Sequence, residues 1–130
     1  MNEFDFEKKL QISFKGMEPT QAIEDYLVEK LDRHLVHKDL ITEAKAVLHQ
    51  HVAHKGTKTD FSIDITLHVP KNVLRVSEKG DNMYAVIDIA AEKLGRILDK
   101  YHDKIIDRSR NKIHRRVMRN VRKLSAWRPW

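Results

Sequence analysis

The chain has 130 residues, 41% of them apolar and 34% charged, which suits one soluble domain with a modest core and a heavily charged surface. It contains no Cys, so disulfides, thiolate-bound zinc and cysteine catalysis are excluded. The net charge of +6 is unevenly spread: up to Asp107, 16 Lys and Arg stand against 19 acids, a net of −3, whereas residues 108–130 carry nine Lys and Arg and no acid.

The opening residues Met1-Asn2-Glu3-Phe4-Asp5-Phe6-Glu7 are acidic and lack the cationic and apolar runs of an export signal. No stretch reaches the length of a membrane span, so a cytoplasmic location is expected. Lys9 to Lys15 alternates as a strand, with Leu10, Ile12 and Phe14 on one face and Gln11 and Ser13 on the other. Gly16 ends it. Thr20 is positioned to cap a helix whose apolar stripe is Ile23, Leu27, Leu31 and Leu35, with Tyr26 alongside. Ile41 to His51 reads as a second strand, followed by the cationic turn His54-Lys55-Gly56-Thr57-Lys58.

The third strand has the clearest pattern. Phe61, Ile63, Ile65, Leu67 and Val69 point one way, Ser62, Asp64, Thr66 and His68 the other, and Pro70 stops the ladder. Val73 to Ser77 forms a short fourth strand with Leu74 and Val76 inward. Asp81 then caps a long helix with Ile87, Ala91, Leu94, Leu98, Tyr101 and Ile105 on its buried face. Beside that face run two charged stripes. Lys93, Arg96, Lys100 and Lys104 form the basic one; Asp88, Glu92, Asp99 and Asp103 form the acidic one. Pairs such as Glu92 with Arg96, Arg96 with Asp99, and Lys100 with Asp103 would neutralise one another, each for a few tenths of a kcal/mol.

The element order is β-α-β-β-β-α, an α+β fold with both helices on one side of a mostly antiparallel sheet. A helix separates the first two strands, which permits them to run parallel. Residues 1–107 are expected to be the domain and residues 108–130 a basic tail, helical or disordered. Ser109 is a candidate cap for a further helix with Ile113, Val117, Val121 and Leu124 on one side. Around them lie Arg108, Arg110, Lys112, Arg115, Arg116, Arg119, Arg122 and Lys123. Like charges make such a helix marginal alone, and a polyanion, most often nucleic acid, is its usual partner. The ending Trp127-Arg128-Pro129-Trp130 offers rings that stack on bases or pack on protein.

His49, His51, His54 and His68 raise a metal hypothesis and, with it, a small metal-dependent hydrolase. Zinc sites need three or four supported ligands, and Asp64 is the only nearby carboxylate on a matching strand face. There is no nucleophile elbow, phosphate-cradling glycine loop or HExxH helix, so no enzyme, metal or cofactor is expected. The order after the first strand is that of double-stranded RNA-binding modules, although their second helix begins with lysines and this one begins Asp81-Asn82-Met83-Tyr84. Gln11, Ser13, Asp64, Thr66 and Arg75 occupy the open sheet face, which disfavours base stacking there. An RNA-shape reader of another kind fits the topology; a general structured-RNA binder using the tail is the alternative.

The run Asp81-Asn82-Met83-Tyr84-Ala85-Val86-Ile87-Asp88, with Glu92-Lys93-Leu94-Gly95-Arg96 and Lys100-Tyr101, resembles the ribosome hibernation-promoting factors of the ribosome-associated inhibitor (protein Y) family. Thr20-Gln21-Ala22-Ile23 through Lys30-Leu31-Asp32-Arg33, His68-Val69-Pro70 and Leu74-Arg75-Val76 carry the resemblance further. It implies a non-enzymatic translation inhibitor, a monomer when free, acting under stress. Such a protein lodges in the decoding channel of the small ribosomal subunit, contacts its rRNA and blocks mRNA and tRNA at the A and P sites. The family's basic patch maps onto Lys30, Arg33, Lys93, Arg96, Lys100 and Lys104. The chain is expected to correspond to short members, which lack the C-terminal domain that pairs ribosomes. Asp99 and His102 stand where many members carry cations, and Gly95 costs a helix about 1 kcal/mol relative to Ala. The basic, Trp-ended tail is not a common family feature.

Overall fold

The computed structural model describes residue 6, residues 8–52 and residues 59–126, with side chains described to residue 119. In chain order the elements are β1 (Leu10–Lys15), α1 (Gln21–His34), a 3-10 turn (Lys38–Leu40), β2 (Glu43–Val52), β3 (Thr59–Val69), β4 (Asn72–Gly80) and α2 (Met83–Ala126). This is the expected β-α-β-β-β-α order. The sheet is mixed, in strand order β1-β2-β3-β4. β1 runs parallel to β2, because α1 carries the chain back between them. β2, β3 and β4 pair antiparallel through short connections.

Alternation along the strands decides which face is covered. Ala44, Ala46 and Leu48 of β2, Ile63, Ile65, Leu67 and Val69 of β3, and Leu74 and Val76 of β4 are buried on one side. Leu27 and Leu31 of α1, with Leu35 just after it, meet them there. So do Met83, Val86, Ile87, Ala90, Ala91, Leu94 and Leu98 of α2. Phe6, Leu35 and Ile41 are also fully buried. Thr20 caps α1 as its position predicts, its hydroxyl accepting from the Ile23 amide at 3.3 Å.

Gly95 has a physical account. A Cβ there would lie 2.7 Å from the backbone oxygen of His34, so the absence of a side chain lets α2 pass close over the end of α1. Gly16 solves a different problem: it adopts φ 69° at the end of β1, and a Cβ would strike the Gln50 oxygen.

Several boundaries differ from expectation. β1 starts at Leu10 rather than Lys9, and β2 at Glu43 rather than Ile41. The unforeseen 3-10 turn takes the Ile41 amide onto the Lys38 carbonyl at 3.0 Å. β4 runs nine residues, beyond Val73–Ser77. β3 is long enough to pair Glu78 with Ile63 and Gly80 with Phe61, so Glu78, Lys79 and Gly80 also join the ladder. The α2 cap is Asn82, not Asp81: its side-chain oxygen accepts from the amides of Tyr84 at 2.9 Å and Ala85 at 3.4 Å.

The chain divides into two compact units, Met1–Asp99 and Lys100–Trp130. Ser109 caps nothing, because α2 continues through it to Ala126. A cap needs non-helical backbone, and between Arg108 and Arg119 no Gly or Pro breaks a run rich in good helix formers. The turn at 54–58, the side chains of Val121, Arg122, Lys123 and Leu124, and the Trp127–Trp130 ending lie outside the described residues.

Candidate nucleic-acid interface

Within the first unit, four of the expected cations sit on the helix pair. A hydrogen-bonded junction fixes how the two helices meet. The Tyr26 hydroxyl of α1 donates to Asp88 Oδ1 of α2 at 2.6 Å, and Tyr26 meets Tyr84 edge-on with ring centroids 4.8 Å apart. Lys30 Nζ lies 3.6 Å from the same carboxylate oxygen and 5.4 Å from the Tyr26 ring centroid. The hydrogen bond to Asp88, then burial, then the negative charges of Asp88 and Glu29 raise the Tyr26 phenol above its ordinary value. By spacing alone Asp88 belongs to an acidic stripe. Its role here is to join the helices, and only its place in the 81–88 motif hinted at more.

Each of the four cations already has a carboxylate. Arg33 meets Glu29 at 3.2 Å, Lys93 meets Glu78 of β4 at 2.8 Å, and Arg96 pairs with Glu92, as the helical spacing predicts. The other expected pairs do not form: Asp99 lies 3.7 Å from His37, and in the second unit Asp103 lies 3.5 Å from His102. Arg33 and Arg96 are 61% and 68% exposed at the side chain, whereas Lys30 is 20% exposed. An exposed pair is worth only a few tenths of a kcal/mol, so an incoming phosphate can replace its carboxylate at little cost. Lys30 is the exception, a half-buried cation held by the helix junction.

In the second unit, Lys100 and Lys104 are exposed on α2, and so are Arg108, Arg110, Lys112, Arg115, Arg116 and Arg119. Ile113, Val117 and Met118 are exposed among them.

The histidines do not converge. His49 and His51 share the open face of β2 with ring centroids 3.8 Å apart, and His51 Nε2 lies 3.0 Å from the Ser62 hydroxyl. His49 pairs with Ser62, whereas His68 pairs with Glu43 at the other end of β3. Six residues of strand separate the two positions by roughly 20 Å. His54 lies outside the described residues, and no group of three metal-binding side chains occurs among those described. The hydrolase built on His49, His51 and His68 has no geometric basis. Among the described residues, no helix is long and apolar enough to cross a membrane.

Comparison with known proteins agrees with this architecture. The family described as "Sigma 54 modulation protein / S30EA ribosomal protein" matches residues 10–106. A protein from Pseudomonas putida called ribosome hibernation promoting factor is 33% identical over 96 residues, covering 74% of this chain and 88% of that protein. A ribosomal subunit interface protein from Coxiella burnetii has the same fold, with TM-score 0.63 and 21% identity over 72% of this chain and 97% of its own. The N-terminal domain of Protein Y from Thermus thermophilus superposes with TM-score 0.54 and 25% identity over 72% of this chain and 98% of its own.

Proposed function

This chain belongs to the Sigma 54 modulation protein / S30EA ribosomal protein family, and we propose that it acts as a ribosome hibernation factor in the cytoplasm. In this reading it is not an enzyme. It lodges in the decoding channel of the small subunit, contacts rRNA phosphates, and excludes mRNA and tRNA from the A and P sites. Inhibition is steric, so idle ribosomes are preserved rather than altered.

The exposed cations of the helix pair carry the reading. Arg33, Lys93 and Arg96 project from elements held by the Tyr26–Asp88 junction, and their carboxylate partners are weak enough to be exchanged for phosphate. Phosphate contacts position a protein on folded RNA without reading bases, which suits a blocking role. Lys100, Lys104 and the basic residues from Arg108 onward extend the supply of cations, with the tail following the messenger path. The long exposed run of Arg and Lys also favours a second reading, a general structured-RNA binder.

Sedimentation with small subunits, large subunits and unrelated structured RNA separates the two. Selective small-subunit association is expected; equal binding to every RNA supports the second reading. Reversing Lys93, Arg96 and Lys100 to Glu together should weaken association at moderate salt. It should also flatten the salt slope by about 2 to 3, at roughly 0.7 to 0.9 per phosphate contact. An unchanged slope would move the interface elsewhere.

A further inference from the structure

The sheet has a second face, turned away from both helices, on which strand register arranges the side chains in rows. Lys15 of β1, His49 of β2, Ser62 of β3 and Lys79 of β4 are paired in succession, forming one row across all four strands. Four residues along, Gln11, Lys45, Thr66 and Arg75 form another. Every side chain in these two rows can donate a hydrogen bond, and neither row contains an acid. From strand geometry each row is roughly 14 Å across, and the two lie roughly 13 Å apart.

The acids on this face stand outside both rows. Asp64, in the row between them, accepts from the Ser77 hydroxyl. Asp60 lies beside His51 and 3.9 Å from Lys79, and Glu43 sits at the far end opposite His68. Lys15, Lys45 and Arg75 are exposed, and none of the three makes an ion pair among the described residues. The contrast with the helix side is direct: Lys30, Arg33, Lys93 and Arg96 all have carboxylate partners, and these three sheet cations do not.

We infer that the open sheet face is a second RNA surface, one that takes backbone phosphates of paired RNA through Lys15, Lys45 and Arg75. Gln11, Ser62 and Thr66 supply neutral hydrogen bonds, the usual companions of Lys and Arg at phosphates. Among the described residues this face presents no Phe, Tyr or Trp, so it has nothing on which unpaired bases would stack; a paired backbone suits it. An acidic protein would meet the same cations, but protein interfaces draw most of their energy from buried aromatic and Arg anchors. Among the described residues, the one exposed large apolar side chain on this face is Val73, near the end of the hairpin. The inference rests on the ribosome-binding reading and adds that RNA lies against both sides of the domain.

The test compares wild type with two triple variants of the full chain, in association with small subunits across a salt series. One variant is Lys15→Thr, Lys45→Thr, Arg75→Thr, which removes charge while keeping β-favouring residues. The other is the helix reversal at Lys93, Arg96 and Lys100. The sheet variant should keep its circular dichroism and thermal midpoint, bind about tenfold or more weakly at 0.15 M salt, and lose roughly 2 to 3 from the salt slope. Replacement by Lys15→Arg, Lys45→Arg and Arg75→Lys should restore the slope. If the sheet variant binds like wild type while the helix variant does not, this inference is wrong and the ribosome reading stands. If neither variant changes binding, this inference is wrong and the helix interface fails with it, whereas equal binding of wild type to unrelated structured RNA is what overturns the ribosome reading. A loss seen on whole subunits but absent on deproteinised rRNA identifies a protein partner and overturns the assignment to RNA.

Discussion

At the scale of single residues, Asp88 has the most to do. Its Oδ1 atom accepts from the Tyr26 hydroxyl and lies within 3.6 Å of Lys30 Nζ, so one carboxylate orders a phenol and a cation from the facing helix. Because the phenol is raised above its ordinary value, the folded protein holds that proton more tightly than the unfolded chain does. The contribution is therefore complete below a pH of about 10, the ordinary phenol value, and is lost as pH rises through the raised value. Absorbance titration of the phenols should show one late-ionising tyrosine, absent in Tyr26→Phe and earlier in Asp88→Asn, which keeps an acceptor but removes the charge. Three phenols ionising together in the wild type, with none late, would show that the junction does not hold in solution. Periodicity identified Tyr26 as a neighbour of the apolar stripe and Asp88 as part of a charged one. Their pairing spans 62 residues of sequence, and nothing local to either position encodes it.

At the scale of elements, the close passage of α2 over α1 depends on Gly95. Helix propensity alone says that Gly95→Ala should stabilise the protein by about 1 kcal/mol. The structure gives the opposite sign, because the new methyl would sit 2.7 Å from the His34 oxygen, and a backbone atom yields less readily than a side-chain tip. Forced overpacking of this kind typically costs about 1 to 3 kcal/mol. Gly95→Ala should lower the denaturant midpoint with an unchanged m-value; a raised midpoint would mean that the helices part freely at this point. The strands and helices themselves were legible because apolar alternation and the three-and-four spacing are strong local signals. Their ends were less so. β4 reached Gly80 because β3 offered it partners, and a strand's length depends on the neighbour across the ladder. Asp81 and Asn82 are adjacent residues with similar capping chemistry, and the entry path of the chain chose between them. Ser109 resembled a cap in composition, yet a helix already under way had no reason to stop there.

Across the whole chain, charge is divided unevenly between the domain and the tail. All the buried apolar residues recognised as core lie at or before Leu98, while the nine cations of 108–130 add nothing to it among the described side chains. We propose that residues 1–107 fold alone. Deleting 108–130 should leave the thermal midpoint within a few degrees of wild type while changing the net charge from +6 to −3. It should also reduce the salt slope of subunit association, and a truncated chain that fails to fold would make the tail part of the architecture. The basic tail was plain from composition, and the helix cations were plain from spacing and resemblance. The carboxylate partners of those cations were only partly foreseeable: Arg96 with Glu92 follows from helical spacing, whereas Lys93 with Glu78 needed the tertiary fold. The parallel pairing of β1 with β2 has one more consequence, for the order of assembly. Leu10 pairs with Ala44, whereas Val69 pairs with Asn72 across a tight hairpin. During synthesis the strand made first must wait for its neighbour, with α1 bridging the interval, before the sheet can close along that edge.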